Sequence, residues 1–199
     1  MVADAGRVIA GSARGIRLAA PGALTRPLAD RVKQAVFGSL EPDLREATVL
    51  DLCAGSGGAA IEALSRGASS AILVERDAGT CRVIAENLRR SGVADRARVV
   101  RADALGYLRD AATDGPFDVV ILDPPYVDVD LRDACLRELG APVAPLRSAG
   151  LVVATGFGKR PPPPAAGLLR STRERRFGET IVVFYVRAAA EDVPPPAGA

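Results

Sequence analysis

Four short apolar runs, Thr48 to Cys53, Ala71 to Glu75, Arg98 to Val100 and Phe117 to Leu122, alternate with stretches of helical spacing at Gly58 to Arg66, Ala78 to Arg90 and Ala104 to Ala111. Runs this short and this apolar suit strands buried on both faces, and their alternation with helices predicts an α/β fold with a parallel sheet between helix layers. The pattern continues through a helix near Leu131 to Leu139 and strands at Gly150 to Thr155 and Thr180 to Tyr185. These last two are expected to pair antiparallel at the sheet edge, with a loop between them carrying Pro161 to Pro164 and a basic cluster. Upstream, Arg7 to Gly11 and Ile16 to Ala20 flank a Ser-Ala-Arg-Gly turn and read as a small hairpin. Asp30 to Leu40 places Val32, Ala35, Val36 and Leu40 at helical spacing, with Pro27 just ahead. The tail Ala188 to Ala199, with Pro194 to Pro196, reads as disordered. The chain thus divides into an extension (1–29), an α/β domain (30–187) and a tail (188–199).

At 199 residues there is room for one domain and a small extension. No run approaches the roughly 18 apolar residues of a membrane helix, and Met1 to Gly15 lacks the apolar segment of a signal peptide, so a cytoplasmic protein is expected. Cys53, Cys81 and Cys135 are odd in number and far apart, which points to buried thiols and to neither a disulfide framework nor a metal site. The absence of histidine excludes Ser-His-Asp, Cys-His and HExxH chemistry. Net charge is only +2, yet it is unevenly spread. Arg7, Arg14, Arg17 and Arg26 face only Asp4 in residues 1–29, and Lys159, Arg160, Arg170, Arg173, Arg175 and Arg176 face only Glu174 in residues 159–176. Two basic segments on an acidic body fit either a polyanion-binding rim or a pair of solvated loops.

The first strand runs through Val49-Leu-Asp-Leu-Cys53 into Ala54-Gly-Ser-Gly-Gly-Ala-Ala60. A glycine turn there lets a ligand approach the backbone at a helix N-terminus. Gly55, Gly57 and Ala60 satisfy GxGxxA and Glu75 follows Gly55 by 20 residues, so a nicotinamide dinucleotide is one candidate. Asp51 favours another, because a carboxylate beside the turn repels a pyrophosphate but attracts the ammonium and sulfonium of S-adenosylmethionine. Glu75 can accept both ribose hydroxyls, and Asp103, followed by Ala104, suits the adenine amino group. Both acids can also be read as helix N-caps.

The segment Phe117-Asp-Val-Val-Ile-Leu-Asp-Pro-Pro-Tyr126 predicts a fourth buried strand ended abruptly by Asp123 and two prolines. The exocyclic amine of a nucleobase is a poor nucleophile because its lone pair is delocalised into the ring. Asp123 and the Pro124 carbonyl supply two acceptors that can turn that lone pair outward, Pro125 stiffens the loop, and Tyr126 offers a face for a flipped-out base. Transfer would run in line from sulfonium to nitrogen, with the proton lost to Asp123 or to water.

From Arg7 to Tyr185 the chain resembles the bacterial 16S rRNA guanine-N2 methyltransferases that modify the small-subunit guanine numbered 966. The resemblance rests on Arg7-Val-Ile-Ala-Gly11, Thr25-Arg-Pro27, Asp30-Arg-Val32 leading to Phe37, Asp51 to Gly57, Glu62-Ala-Leu-Ser-Arg-Gly-Ala68 and Asp123-Pro-Pro-Tyr126. It implies a Rossmann-like class I methyltransferase fold with a seven-stranded, mostly parallel sheet and an antiparallel last strand. It further implies S-adenosylmethionine bound by Asp51, Ala54, Gly55, Gly57, Glu75, Arg76, Asp103 and Ala104, and guanine held by Asp123, Pro124, Pro125 and Tyr126. Arg7, Arg14 and Arg17 of the hairpin, with Thr25, Arg26 and Arg31, would face the RNA, as 16S rRNA or a 30S assembly particle, with a monomer as the default state. Cys53 stands where the family usually has an aromatic residue, and Gly58-Ala-Ala60 replaces a bulkier run. A DNA adenine-N6 methyltransferase uses the same tetrapeptide, though 199 residues leave no space for a target-recognition domain. A non-catalytic ribosome-assembly binder is the alternative outside enzymes.

Overall fold

The computed structural model describes residues 4–22, 30–110 and 114–189. Thr25, Arg26 and Pro27, and the tail from residue 190, lie outside the described residues. A two-stranded antiparallel ribbon, β1 (Asp4–Arg7) and β2 (Arg17–Ala19), leads to α1 (Asp30–Leu44). Then follow β3 (Thr48–Leu52), α2 (Gly58–Ser65), β4 (Ser70–Glu75), α3 (Ala78–Arg90), β5 (Ala97–Arg101), α4 (Ala104–Asp110), β6 (Phe117–Leu122) and α5 (Val129–Leu139). The chain continues through β7 (Leu146–Phe157), β8 (Ala165–Ala166), β9 (Leu169–Phe177) and β10 (Thr180–Arg187).

The main sheet runs β5-β4-β3-β6-β7-β10-β9-β8. Its first five strands are parallel, and β10, β9 and β8 are each antiparallel to their neighbour. The mostly parallel sheet is therefore present, but with eight strands where seven were expected. The extra pairing comes from residues 169–177, assigned to a loop by their charge and found as the strand β9. A strand exposed on both faces has no apolar alternation to read, so its sequence looks like a loop.

Successive strand residues point to opposite faces and thereby build two cores. Val119 and Ile121 of β6 pack with Val36, Phe37, Ile61 and Ile84 from α1, α2 and α3. Val120 and Leu122 pack with Leu108, Leu136 and Leu139 from α4 and α5. Each fully buried Leu or Ile contributes about 1.5–3 kcal/mol. Strand order reverses between β3 and β6, the place where open α/β sheets leave a crevice at their carboxyl ends.

The N-terminal ribbon is tied to this body through α2. Ile9 and Ala10 donate their N–H groups to the buried carboxylate of Glu62 (2.7 and 3.1 Å), and Arg66 also donates to it (2.7 Å). Ser12 N–H donates to the Ser65 carbonyl, and Ala13 N–H to the Ser65 hydroxyl. Gly11 has φ +82°, and a Cβ there would lie 1.8 Å from the Ser65 carbonyl oxygen. Only glycine fits such an approach at positive φ. The sequence stretches Arg7 to Gly11 and Glu62 to Ala68 are thus two halves of one contact.

Candidate active site

Three loops meet at the carboxyl ends of β3, β4 and β6. After β3 the chain turns sharply, with Cys53 at φ +62°, Gly55 at +56° and Gly57 at +77°. At Gly57 a Cβ would press on Leu73 and Ile84, 3.2 Å from each, at a positive φ that itself favours glycine. Gly55 is different, because its Cβ position is open and what it provides is conformation alone. Ala54 is buried and anchors the turn, donating to the Val74 carbonyl (3.0 Å) and accepting from Gly57 N–H (2.8 Å).

Glu75 closes the gap between β3 and β4. Its Oε2 accepts from Gly55 N–H (3.1 Å) and its Oε1 from Asp77 N–H (3.0 Å), while Asp77 itself caps α3. Glu75 is therefore not a helix cap; it braces the glycine turn from the neighbouring strand. Asp103 does serve as a cap, accepting from Gly106 N–H (2.8 Å) at the start of α4, beside buried Ala104. Arg76 is exposed beyond β4.

Asp51 is 1 % exposed and accepts from Ala60 N–H (3.0 Å), so it holds the first turn of α2 against β3. Burial, opposed by that hydrogen bond and reinforced by the charges of Asp123 and Glu75, pushes its carboxyl up to about 7. Asp51 on the central strand thus feels the carboxylates at the ends of both neighbouring strands. Such a cleft favours a cation and disfavours a pyrophosphate.

Asp123 follows β6, partly buried, with its carboxyl raised to about 6 by burial and held down in part by Thr155. The Thr155 hydroxyl, on β7, donates to Asp123 Oδ1. That leaves Oδ2 to face other donors. Pro124 is buried and Pro125 exposed, and the Pro125 carbonyl accepts from Asp128 N–H (2.8 Å), the residue that caps α5. None of the described residues donates to the Pro124 carbonyl. Tyr126 is 38 % exposed, with its hydroxyl 3.1 Å from Thr180 Oγ1 and its ring 6.4 Å from that of Phe157. Behind the tetrapeptide, Arg132 donates to the carbonyls of Arg160 (2.8 Å) and Pro161 (3.3 Å), and Tyr185 donates to that of Pro163 (2.6 Å). The Pro161 to Pro164 loop is a packed support for this wall.

Of the hairpin cations, Arg7 pairs with Asp30 (3.0 Å), Arg17 pairs with Asp4, and Arg14 is exposed at the turn. Arg31 is exposed on the first turn of α1, and among the described residues it enters no ion pair.

Sequence reasoning missed three residues. Thr155 and Thr180 are strand-end hydroxyls that matter only through partners 32 and 54 residues away. Asn87 is fully buried and accepts from Ala19 N–H while donating to the carbonyls of Ala19 and Ser56 (2.9 Å each). It joins the ribbon directly to the glycine turn. A buried-face amide between Ile84 and Leu88 was the available signal.

Residues 6–186 match the family described as "Conserved hypothetical protein 95". A Bacillus subtilis (strain 168) protein named "Putative rRNA methyltransferase YlbH" is 38% identical over 181 residues, 90% of this chain and 97% of its own. The "Ribosomal RNA small subunit methyltransferase D" of Escherichia coli (strain K12) is 39% identical over 121 residues, 60% of each chain. Among solved structures, "Putative methyltransferase yhhF from Escherichia coli" superposes with a TM-score of 0.78 at 33% identity, covering 92% of this chain and 98% of its own. The fold is that of the class I methyltransferases, and the chain belongs to the Conserved hypothetical protein 95 family, that of the small-subunit ribosomal RNA methyltransferases D.

Proposed function

We propose that this protein transfers a methyl group from S-adenosylmethionine to the exocyclic N2 amine of a guanine in 16S rRNA, free or within a 30S assembly particle. One observation carries the reading: the braced glycine turn and the Asp123 to Tyr126 tetrapeptide lie on adjacent strands, β3 and β6, at the switch point of the sheet. The names of the relatives, which act on ribosomal RNA, support the choice of substrate.

When bound, S-adenosylmethionine supplies a methyl carbon made electrophilic by its sulfonium. Glu75 can exchange its Gly55 contact for ribose hydroxyls, the free oxygen of Asp103 can take the adenine amine, and Asp51 contributes negative potential to the ammonium end. Asp123 Oδ2 and the Pro124 carbonyl accept the two amine hydrogens, which aligns the nitrogen lone pair for attack. Tyr126, fixed by Thr180, stacks on the base. Asp123 then holds the released proton, a role suited to a carboxyl poised at about 6. Residues 1–29, with Arg14 and Arg17 at the ribbon, and Arg31 of α1 grip the RNA backbone, as do Thr25 and Arg26 in this reading.

The test is labelled donor with naked 16S rRNA, 30S particles and duplex DNA in parallel, followed by nucleoside analysis. The expected product is N2-methylguanine in RNA; N6-methyladenine in DNA, or no incorporation, refutes the proposal. Asp123→Ala should cut transfer by about 100-fold or more while donor binding is retained.

A further inference from the structure

The strand β9, bordered on its outer side by β8 only at Leu169 and Arg170, carries a row of cations that the site described above does not use. Antiparallel partners share a face, so the pairings Arg175↔Val182, Arg173↔Phe184 and Arg170↔Val186 put Arg170, Arg173 and Arg175 on one side of the sheet. Plain alternation would turn Arg170 to the other side, being three residues from Arg173. The register shift between Phe184 and Tyr185 inserts one extra residue in β9 and restores it. The Arg173 guanidinium lies over the Phe184 ring, 5.5 Å from its centroid, which confirms the side.

The two faces of β9 differ in charge. Glu174 and Arg176 occupy the other face and pair with each other at 2.8 Å. Arg170, Arg173 and Arg175 enter no ion pair among the described residues, although Arg170 also donates to the Gly167 and Leu169 carbonyls. All three are exposed. The row also has a direction. Phe177, at the end of β9, pairs with Thr180, whose hydroxyl meets that of Tyr126. It therefore starts at the tetrapeptide end of the sheet and runs outward along the edge, with about 7 Å between Arg173 and Arg175.

We propose that Arg170, Arg173 and Arg175 form a phosphate track for the RNA flanking the methylated base, on the sheet face that packs against α1, α2 and α3. This rests on the RNA methyltransferase reading. Cations spaced along a strand and free of acidic partners release counterions from a polyanion, and the planar fork of arginine suits phosphate oxygens. The RNA around the target base would then meet basic side chains both on the N-terminal ribbon and on β9.

The experiment measures binding to 16S rRNA, naked or in 30S particles, whichever accepts label, as a function of salt. The triple Arg→Gln variant at 170, 173 and 175 should lower the slope of log affinity against log salt by about 2 to 3. Between 50 and 200 mM salt the wild type should accordingly lose about 16- to 64-fold more affinity than the variant. Melting temperature and donor affinity should not change. The triple Arg→Lys variant should keep the slope, and Arg176→Gln, on the opposite face, should leave it unaltered. A triple Gln variant with the wild-type slope overturns the track while leaving the methyltransferase reading intact; a wild type that neither binds nor methylates RNA overturns both. Equal loss in the Lys and Gln variants would assign these residues to packing of the edge and refute the track.

Discussion

Replacing Thr155 with valine removes a single hydroxyl from a side chain that is 2 % exposed and keeps its shape. That hydroxyl donates to Asp123 Oδ1, and this hydrogen bond opposes the effect of burial on the Asp123 carboxyl. A hydrogen bond to a charged group is worth about 1.5–3 kcal/mol, or about 1 to 2 pKa units. Loss of a donor to the ionised form raises the pKa further, so the acid limb of the rate profile should move from about 6 to about 7 or 8. At pH 6 the ionised fraction falls from about one half to between about one tenth and one hundredth, a loss of roughly 5- to 50-fold in single-turnover transfer. Near pH 9 the two rates should converge. Thr155→Ser, which retains the donor, should restore the wild-type limb. Single-turnover conditions are needed because product release can hide a chemical step. A Thr155→Val enzyme that is slower by the same factor at every pH, or whose limb stays in place, would show that Thr155 only packs, and the assigned role of Asp123 ionisation would fall with it.

Donor binding should report Asp51 in a similar way. Its carboxyl sits at about 7 because burial favours the neutral acid, whereas a donor ammonium favours the carboxylate, so binding should release a proton and tighten about tenfold between pH 6 and 8. Calorimetry in buffers of different ionisation enthalpy counts that proton, and Asp51→Asn should flatten the profile; a wild-type affinity independent of pH would contradict the electrostatic reading of the cleft. Gly11→Ala forces a Cβ to 1.8 Å from the Ser65 carbonyl at φ +82°, which should cost about 2–4 kcal/mol or undock the ribbon. Hydrogen exchange should then accelerate at the amides of Ile9, Ala10 and Ser12, and unchanged protection there would show that the ribbon is held by something else.

The parts legible in the sequence are those whose physics is local or periodic. Phe117 to Leu122 reads as a buried strand because every residue but Asp118 is apolar, and the structure returns the same bounds. The helix Ala78 to Arg90 does likewise, since its cap at Asp77 and its apolar Ile84 and Leu88 lie within a few turns of each other. The glycine turn and the tetrapeptide are compact enough to read as chemistry. What escaped is non-local or non-apolar: Thr155 acquires meaning only from Asp123, and β9 forms because β10 offers it a partner, not because its own arginines favour a strand. The same logic explains why Arg7 to Gly11 and Glu62 to Ala68, which stand far apart in the chain, belong together. Gly11 is needed because Ser65 approaches it, and Glu62 because two backbone amides of the ribbon have no other acceptor. Asn87 then carries that docked ribbon through to Ser56. Position of the ribbon and shape of the glycine turn are therefore set together, by the buried side chains of Glu62 and Asn87.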